Sequence, residues 1–88
     1  MKVAFSSSFK RAYKKRIKGQ KEKEEAFFKK MEIFIHEPYN PQLRTHKLSG
    51  QLKDLWSFSI DYNIRVIFYF VDEQHVIFEN IGTHDEVY

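Results

Sequence analysis

Apolar side chains recur along this chain with two different spacings, and the change falls near its middle. Up to Ile35 they return every three or four residues; from Trp56 they return every second residue. The first spacing is that of amphipathic helices and the second that of strands. Phe9, Ala12, Tyr13 and Ile17 make one helical stripe, with Lys10, Arg11, Lys14, Lys15 and Lys18 on the opposite side. The serines before it, Ser7 or Ser8, are suitable N-caps, and Gly19 is expected to end the helix in a left-handed conformation. Phe27, Met31, Phe34 and Ile35 make the stripe of a second helix that starts near Lys21 or Glu22 and stops before Pro38. The two predict an antiparallel helical hairpin with one apolar side.

Around the hairpin the pattern is that of strands. KVAF (Lys2 to Phe5) alternates weakly. Trp56, Phe58 and Ile60 alternate with Ser57 and Ser59, as in a strand buried on one face. IRVIFYFV (Ile64 to Val71) is almost wholly apolar, which predicts the centre of the sheet. HVIFENI (His75 to Ile81) is the last strand, and DYN and DEQ are the tight turns between them. His36 to Asp54, with both prolines, is the one long irregular stretch. The order strand, helix, helix, strand, strand, strand predicts a single α+β domain over residues 1–88. It is a small antiparallel sheet with an N-terminal helical hairpin packed on one face.

Composition narrows the class. At 88 residues the chain is near the lower limit for a core that folds unaided, but nine Phe, five Tyr and one Trp supply bulk. There is no cysteine, so neither disulfides nor thiolate zinc sites are expected. No apolar run approaches the ~20 residues that cross a bilayer, and MKVAFSSSFK has no signal-peptide stretch. A cytoplasmic protein without membrane contact is the expectation. The net charge of +3 conceals an uneven division: residues 1–50 carry thirteen basic and five acidic side chains, residues 51–88 two and seven. The basic half suits a polyanion, or is a solvated lysine-rich helix face.

The candidate chemistry is sparse. His36, His46, His75 and His84 show no metal-ligand spacing, and the three glycines form no phosphate-cradling loop, so no metal or cofactor is expected. Arg65 interrupts the apolar central strand. Either it pairs with a carboxylate such as Asp61 or Glu79, or it projects into a concavity that takes an anion. Arg44, His46, Lys47 and Lys53 surround the turn at Gly50 and, with Arg65, could hold a phosphodiester. His84 could move a proton near neutral pH, or only cap the strand; Tyr88 could stack on a base, or only cover a core edge.

The run HKLSGQLKDLWSFSIDYNIRVIFYFVDEQHVIFENIGTHDEVY, His46 to Tyr88, resembles the RelE/ParE superfamily of toxins from type II toxin–antitoxin pairs. It is most similar to the RelE, YoeB and YafQ members, in its KLSG loop, its IRVIFYF strand and its IGTHDEVY ending. The resemblance implies the β-α-α-β-β-β fold already read from the pattern, and ribosome-dependent, metal-independent cleavage of mRNA by attack of a ribose 2′-hydroxyl. It also implies a cognate antitoxin, expected to be acidic, as protein partner, and mRNA and the ribosome as targets.

Carried over position by position, the resemblance implies that Arg65 holds the scissile phosphate. His46 is the general base, His84 the acid, and Tyr88 the terminal aromatic. Lys47 and Lys53 lie where RelE-like members carry catalytic or phosphate-binding lysines, and Arg44, from its place beside that loop, is expected to join them on RNA phosphates. The chain departs from YafQ-like members at Ser59, where they carry a histidine, at Asn63, where they carry an aspartate, and at Asn80, where they carry an arginine. The glutamate base of YoeB-like members has no counterpart. Two other functions share this pattern: a ParE-like toxin acting on DNA gyrase, and a catalytically silent nucleic-acid-binding module.

Overall fold

The computed structural model describes residues 1–52 and 54–88. In chain order the elements are β1 (Lys2–Phe5), α1 (Ser7–Arg16), α2 (Lys21–His36), a 3-10 turn (Pro41–Leu43), β2 (His46–Lys47), a second 3-10 turn (Gly50–Leu52), β3 (Trp56–Ser59), β4 (Ile64–Phe70), β5 (His75–Thr83) and α3 (His84–Val87). The expected α+β order holds, with a short edge strand, two 3-10 turns and a terminal helical turn added. The five strands lie in the order β1-β5-β4-β3-β2. Neighbours among β2 to β5 are antiparallel, as their short connections require, whereas β1 pairs parallel with β5.

One face of the sheet is packed by the helical hairpin. Phe58 of β3, Val66 and Phe68 of β4, and Phe78 and Ile81 of β5 are fully buried there with Phe34 of α2. Phe34 is the hub: its ring lies 4.7 Å from Phe58, 5.0 Å from Phe68 and 5.5 Å from Phe78. In α2 the buried residues are Phe27 and Phe34, with Ala26, Met31 and Ile33 packed against the core. Ile35, expected in that stripe, is only half-buried, and of the two half-buried isoleucines it is Ile33 that packs against the core.

The register of β4 with β5 shifts between Ile67 and Phe68, leaving Glu79 unpaired as a bulge. The bulge decides which side chains go where. Phe78 and Ile81 are three residues apart, yet both face the helices, and Asn80 and Gly82 pass to the opposite face. An unbroken strand would send Phe78 and Ile81 to opposite faces.

The helix ends differ in detail from expectation. Ser6, not Ser7 or Ser8, caps α1, its Oγ accepting from the Phe9 amide at 3.0 Å. The amide of Ser6 donates to Phe78 O, which keeps it extended beside β5 and fixes the start of the helix one residue later. α1 ends at Arg16 with Ile17 as C-cap, and Gly19 (φ 88°) makes the left-handed turn into α2. Beyond Phe78, β5 outruns β1 and α1 lies along its free edge. No helix among the described residues is long and apolar enough to cross a membrane.

Candidate active site on the open face of the sheet

Strand alternation places a different set of side chains on the face away from the helical hairpin. Register pairs share a face, so His46 of β2, Ser57 of β3, Ile67 of β4 and Asn80 of β5 form one row across it. Ser59, Arg65 and Gly82 form the next row, about 7 Å further along the strands. Lys47 pairs with Trp56 and therefore points to the helix side, away from His46. Sequence alone set both in one loop; the two-residue strand separates them. Lys53 lies outside the described residues.

The open face is partly covered by α3. Thr83 caps this turn through a capping box: its hydroxyl accepts from the Glu86 amide and its amide donates to Glu86 Oε1 at 2.7 Å. The Thr-x-x-Glu pattern was present in the sequence and is the signal that finds this element. Arg16 holds the turn from the other side. Its NH1 donates to Asn80 Oδ1 at 3.1 Å and to the Ile81 carbonyl at 2.9 Å, and its Nε lies 3.5 Å from Glu86 Oε2. Gly82 makes this clasp possible, because a Cβ there would come within 2.9 Å of Arg16 NH1 and 2.8 Å of Glu86 Oε1. The Thr83 amide, and then its hydroxyl and Arg16, hold the Glu86 carboxyl below its ordinary range.

Folded back in this way, the terminal segment reaches the first row. The Tyr88 hydroxyl donates to Ser57 Oγ at 2.8 Å, and Ser57 is fully buried. Ser57 is thus at once the register partner of His46 and the hydrogen-bond partner of Tyr88. The rings of Tyr88 and His84 meet edge to face at 4.5 Å. His84 itself is exposed, with Nδ1 3.5 Å from Asp85 Oδ1.

His46 has a defined tautomer. Its Nδ1 lies 2.9 Å from the Arg44 carbonyl, which can only accept, so Nδ1 carries the proton. In the neutral ring the Nε2 lone pair is then free. Arg44 presents that carbonyl from a left-handed backbone conformation (φ 53°) just after the first 3-10 turn.

Arg65 takes neither of the carboxylate partners considered for it. Its NH1 donates to the carbonyls of Asp61 and Tyr62, both at 3.2 Å, and of Ile64 at 3.3 Å. The Asp61 carboxylate is already used by the turn, accepting from the amides of Asn63 and Ile64 at 2.8 Å each. Among the described residues no carboxylate lies within ion-pair distance of Arg65. Its guanidinium lines a cleft of ≈ 300 Å³ together with Arg44, Lys30 and Ser59. Three cations converge there against the single acid Asp61, so the cleft suits an anion.

Five sheet strands, a helical hairpin on one face and a cation-lined polar face on the other define a fold shared with small bacterial toxins. The structure superposes on YafQ from E. coli strain BL21(DE3) with a TM-score of 0.78 and 18% identity, over 98% of this chain and 96% of that one. It matches a YoeB/ParE toxin from Agrobacterium tumefaciens with a TM-score of 0.78 and 16% identity, over 96% and 99%. It also matches the E. coli DinJ–YafQ toxin–antitoxin complex with a TM-score of 0.75 and 18% identity, over 98% and 94%. No curated protein sequence matches the chain. A sequence model described as the bacterial toxin of type II toxin–antitoxin system, YafQ, matches residues 1–88. The chain belongs to this YafQ family of type II toxins.

Proposed function

We propose that the protein is a ribosome-dependent endoribonuclease that cuts mRNA on the open face of its sheet, and that a cognate antitoxin restrains it. The observation that carries this reading is a free base on the open face, together with an anion-suited cleft that Ser59 and Arg65 of that face share with Arg44 and with Lys30 of α2. His46 has its Nδ1 engaged and its Nε2 free, and Arg65, with no carboxylate partner among the described residues, lines a cleft shared with Arg44.

Cleavage follows from these groups. His46 Nε2 accepts the proton of the ribose 2′-hydroxyl as that oxygen bonds to phosphorus. Arg65 and Arg44 offset the charge gathering on the non-bridging oxygens. The bond to the 5′-oxygen breaks, and that oxygen takes a proton from the His84 imidazolium. The products are a cyclic phosphate and a 5′-hydroxyl. Tyr88, held by Ser57 and packed on His84, offers a ring face on which a base can stack. The antitoxin as partner is supported by family membership and by the DinJ–YafQ complex of a relative.

The test is a translation extract programmed with a defined message. Cuts that require ribosomes and leave cyclic-phosphate ends are the expected outcome. Intact message with gyrase-dependent DNA breaks would instead mean a ParE-like toxin. RNA binding without cleavage would mean a silent module.

A further inference from the structure

The anion cleft has an aromatic wall that the cleavage chemistry leaves unused. Tyr62, in the turn between β3 and β4, lines the cleft beside Arg65. It is 92% exposed, the most exposed large hydrophobic side chain among the described residues. The turn does not call for it. Turns favour small or polar residues, and Asp61 already supplies the turn chemistry by accepting from the two amides that follow Tyr62. Tyr39, in another connection, gives the contrast: its ring lies 5.8 Å from Trp56 and 6.3 Å from Phe70. Tyr62 has no such ring neighbour among the described residues. A lone exposed aromatic is ordinary on a protein surface. One in the wall of a cation cleft, with its own carbonyl accepting from Arg65 NH1 at 3.2 Å, is placed for a ligand.

The ligand that needs cations and a flat apolar face side by side is a nucleotide in a single strand. Arg65, Arg44 and Lys30 meet the phosphate, and Tyr62 offers the face. Along β3 and β4 the order is Ser57 with Tyr88 upon it, then Arg65, then Tyr62 in the turn beyond. Tyr88 can therefore take a base on one side of the phosphate held by Arg65, which leaves Tyr62 for the base on the other.

Gln42 lines the same cleft from the first 3-10 turn. Asn40 caps that turn by accepting from the Gln42 amide at 2.8 Å, and the neighbouring Leu43 is fully buried, so the backbone that carries Gln42 is anchored. Its side-chain amide bonds no protein group among the described residues and presents a donor and an acceptor together, the combination that reads a base edge. We infer that Tyr62 is the stacking platform, and Gln42 the edge reader, for the base next to the phosphate held by Arg65, and that the pair sets the nucleotide preference of the cut; this assignment rests on the cleavage reading above.

The experiment measures binding of a short 2′-O-methyl RNA to the full chain by fluorescence anisotropy, since that RNA lacks the attacking hydroxyl and cannot be cut. Cleavage of ribosome-bound message is measured separately. Tyr62→Ala should weaken the oligonucleotide roughly tenfold, whereas Tyr62→Phe, which keeps the ring, should bind as wild type. Removing one base at a time from the oligonucleotide should find a position where wild type loses that same factor and Tyr62→Ala loses nothing. Gln42→Ala should flatten the discrimination between bases at that position, while Arg65→Ala weakens every sequence alike. On the ribosome Tyr62→Ala should raise KM and leave kcat little changed. The Tyr62 and Gln42 variants should keep the wild-type melting temperature, because both side chains are exposed. Wild-type affinity in Tyr62→Ala, or an unaltered response to base removal, would overturn the inference and leave the cleft a phosphate site alone. So would a wild-type chain that does not bind the oligonucleotide. A chain that binds it through Tyr62 yet cuts no message would refute the cleavage reading and leave the platform standing.

Discussion

The two faces of one sheet use the same strands for opposite purposes. On the helix face, Phe58, Phe68 and Phe78 close around Phe34 with no polar group among them. On the open face of the same strands stand Ser57, Ser59, Arg65, Asn80 and Gly82. The first set contributes stability through burial. In the second, Ser59 and Arg65 stay partly accessible, while the terminal turn covers Ser57 and Gly82. Alternation lets 88 residues carry both. The difference teaches that substitutions one position apart should divide cleanly between folding and activity.

The largest break is expected at the hub of the helix face. Phe34→Ala should destabilise the fold by about 3–5 kcal/mol, measured by urea unfolding, because a fully buried ring contacting three others leaves a cavity. On the open face, His46→Gln should slow cleavage by about a hundredfold or more while changing stability by less than about 0.5 kcal/mol. A comparable loss of stability in that variant would erase the distinction between the faces.

Much of this division was legible in the sequence, and the exceptions have physical causes. The apolar periods carried the helices, β3 and β4, since burial imposes them directly. Arg65 was visible as a charge in an apolar strand. Its partners were not, because backbone carbonyls leave no mark in a sequence and the Asp61 carboxylate that looked available is consumed by its own turn. Three consecutive serines are chemically equivalent as caps; only the bond from Ser6 to Phe78 O in the neighbouring strand selects among them. Lys47 was grouped with His46 because a two-residue edge strand has too short a pattern to reveal its faces. The bulge at Glu79 was equally invisible, although it is what sends Asn80 and Gly82 to the site.

Smaller effects sharpen the comparison where the faces meet the terminal turn. Tyr88→Phe removes the donor to a buried Ser57 and should cost about 1 kcal/mol of stability, read from the shift in melting temperature. Acid should loosen the clasp next. The Glu86 carboxyl is held below its ordinary 4.5, so its contribution is complete above that value and is lost as pH falls through the depressed folded pKa. The Tyr88 ring resonances should therefore shift on acidification before global unfolding, and Glu86→Gln should abolish that early step.

The most direct test of the account is the single-turnover rate of message cleavage on the ribosome by Arg65→Ala beside wild type, with both melting temperatures recorded. Among the described residues the Arg65 guanidinium hydrogen-bonds only to the carbonyls of Asp61, Tyr62 and Ile64, so the variant should melt within a few degrees of wild type, yet cut about a hundredfold more slowly or worse. Cleavage at the wild-type rate by a folded Arg65→Ala protein would contradict the placement of the active site on the open face.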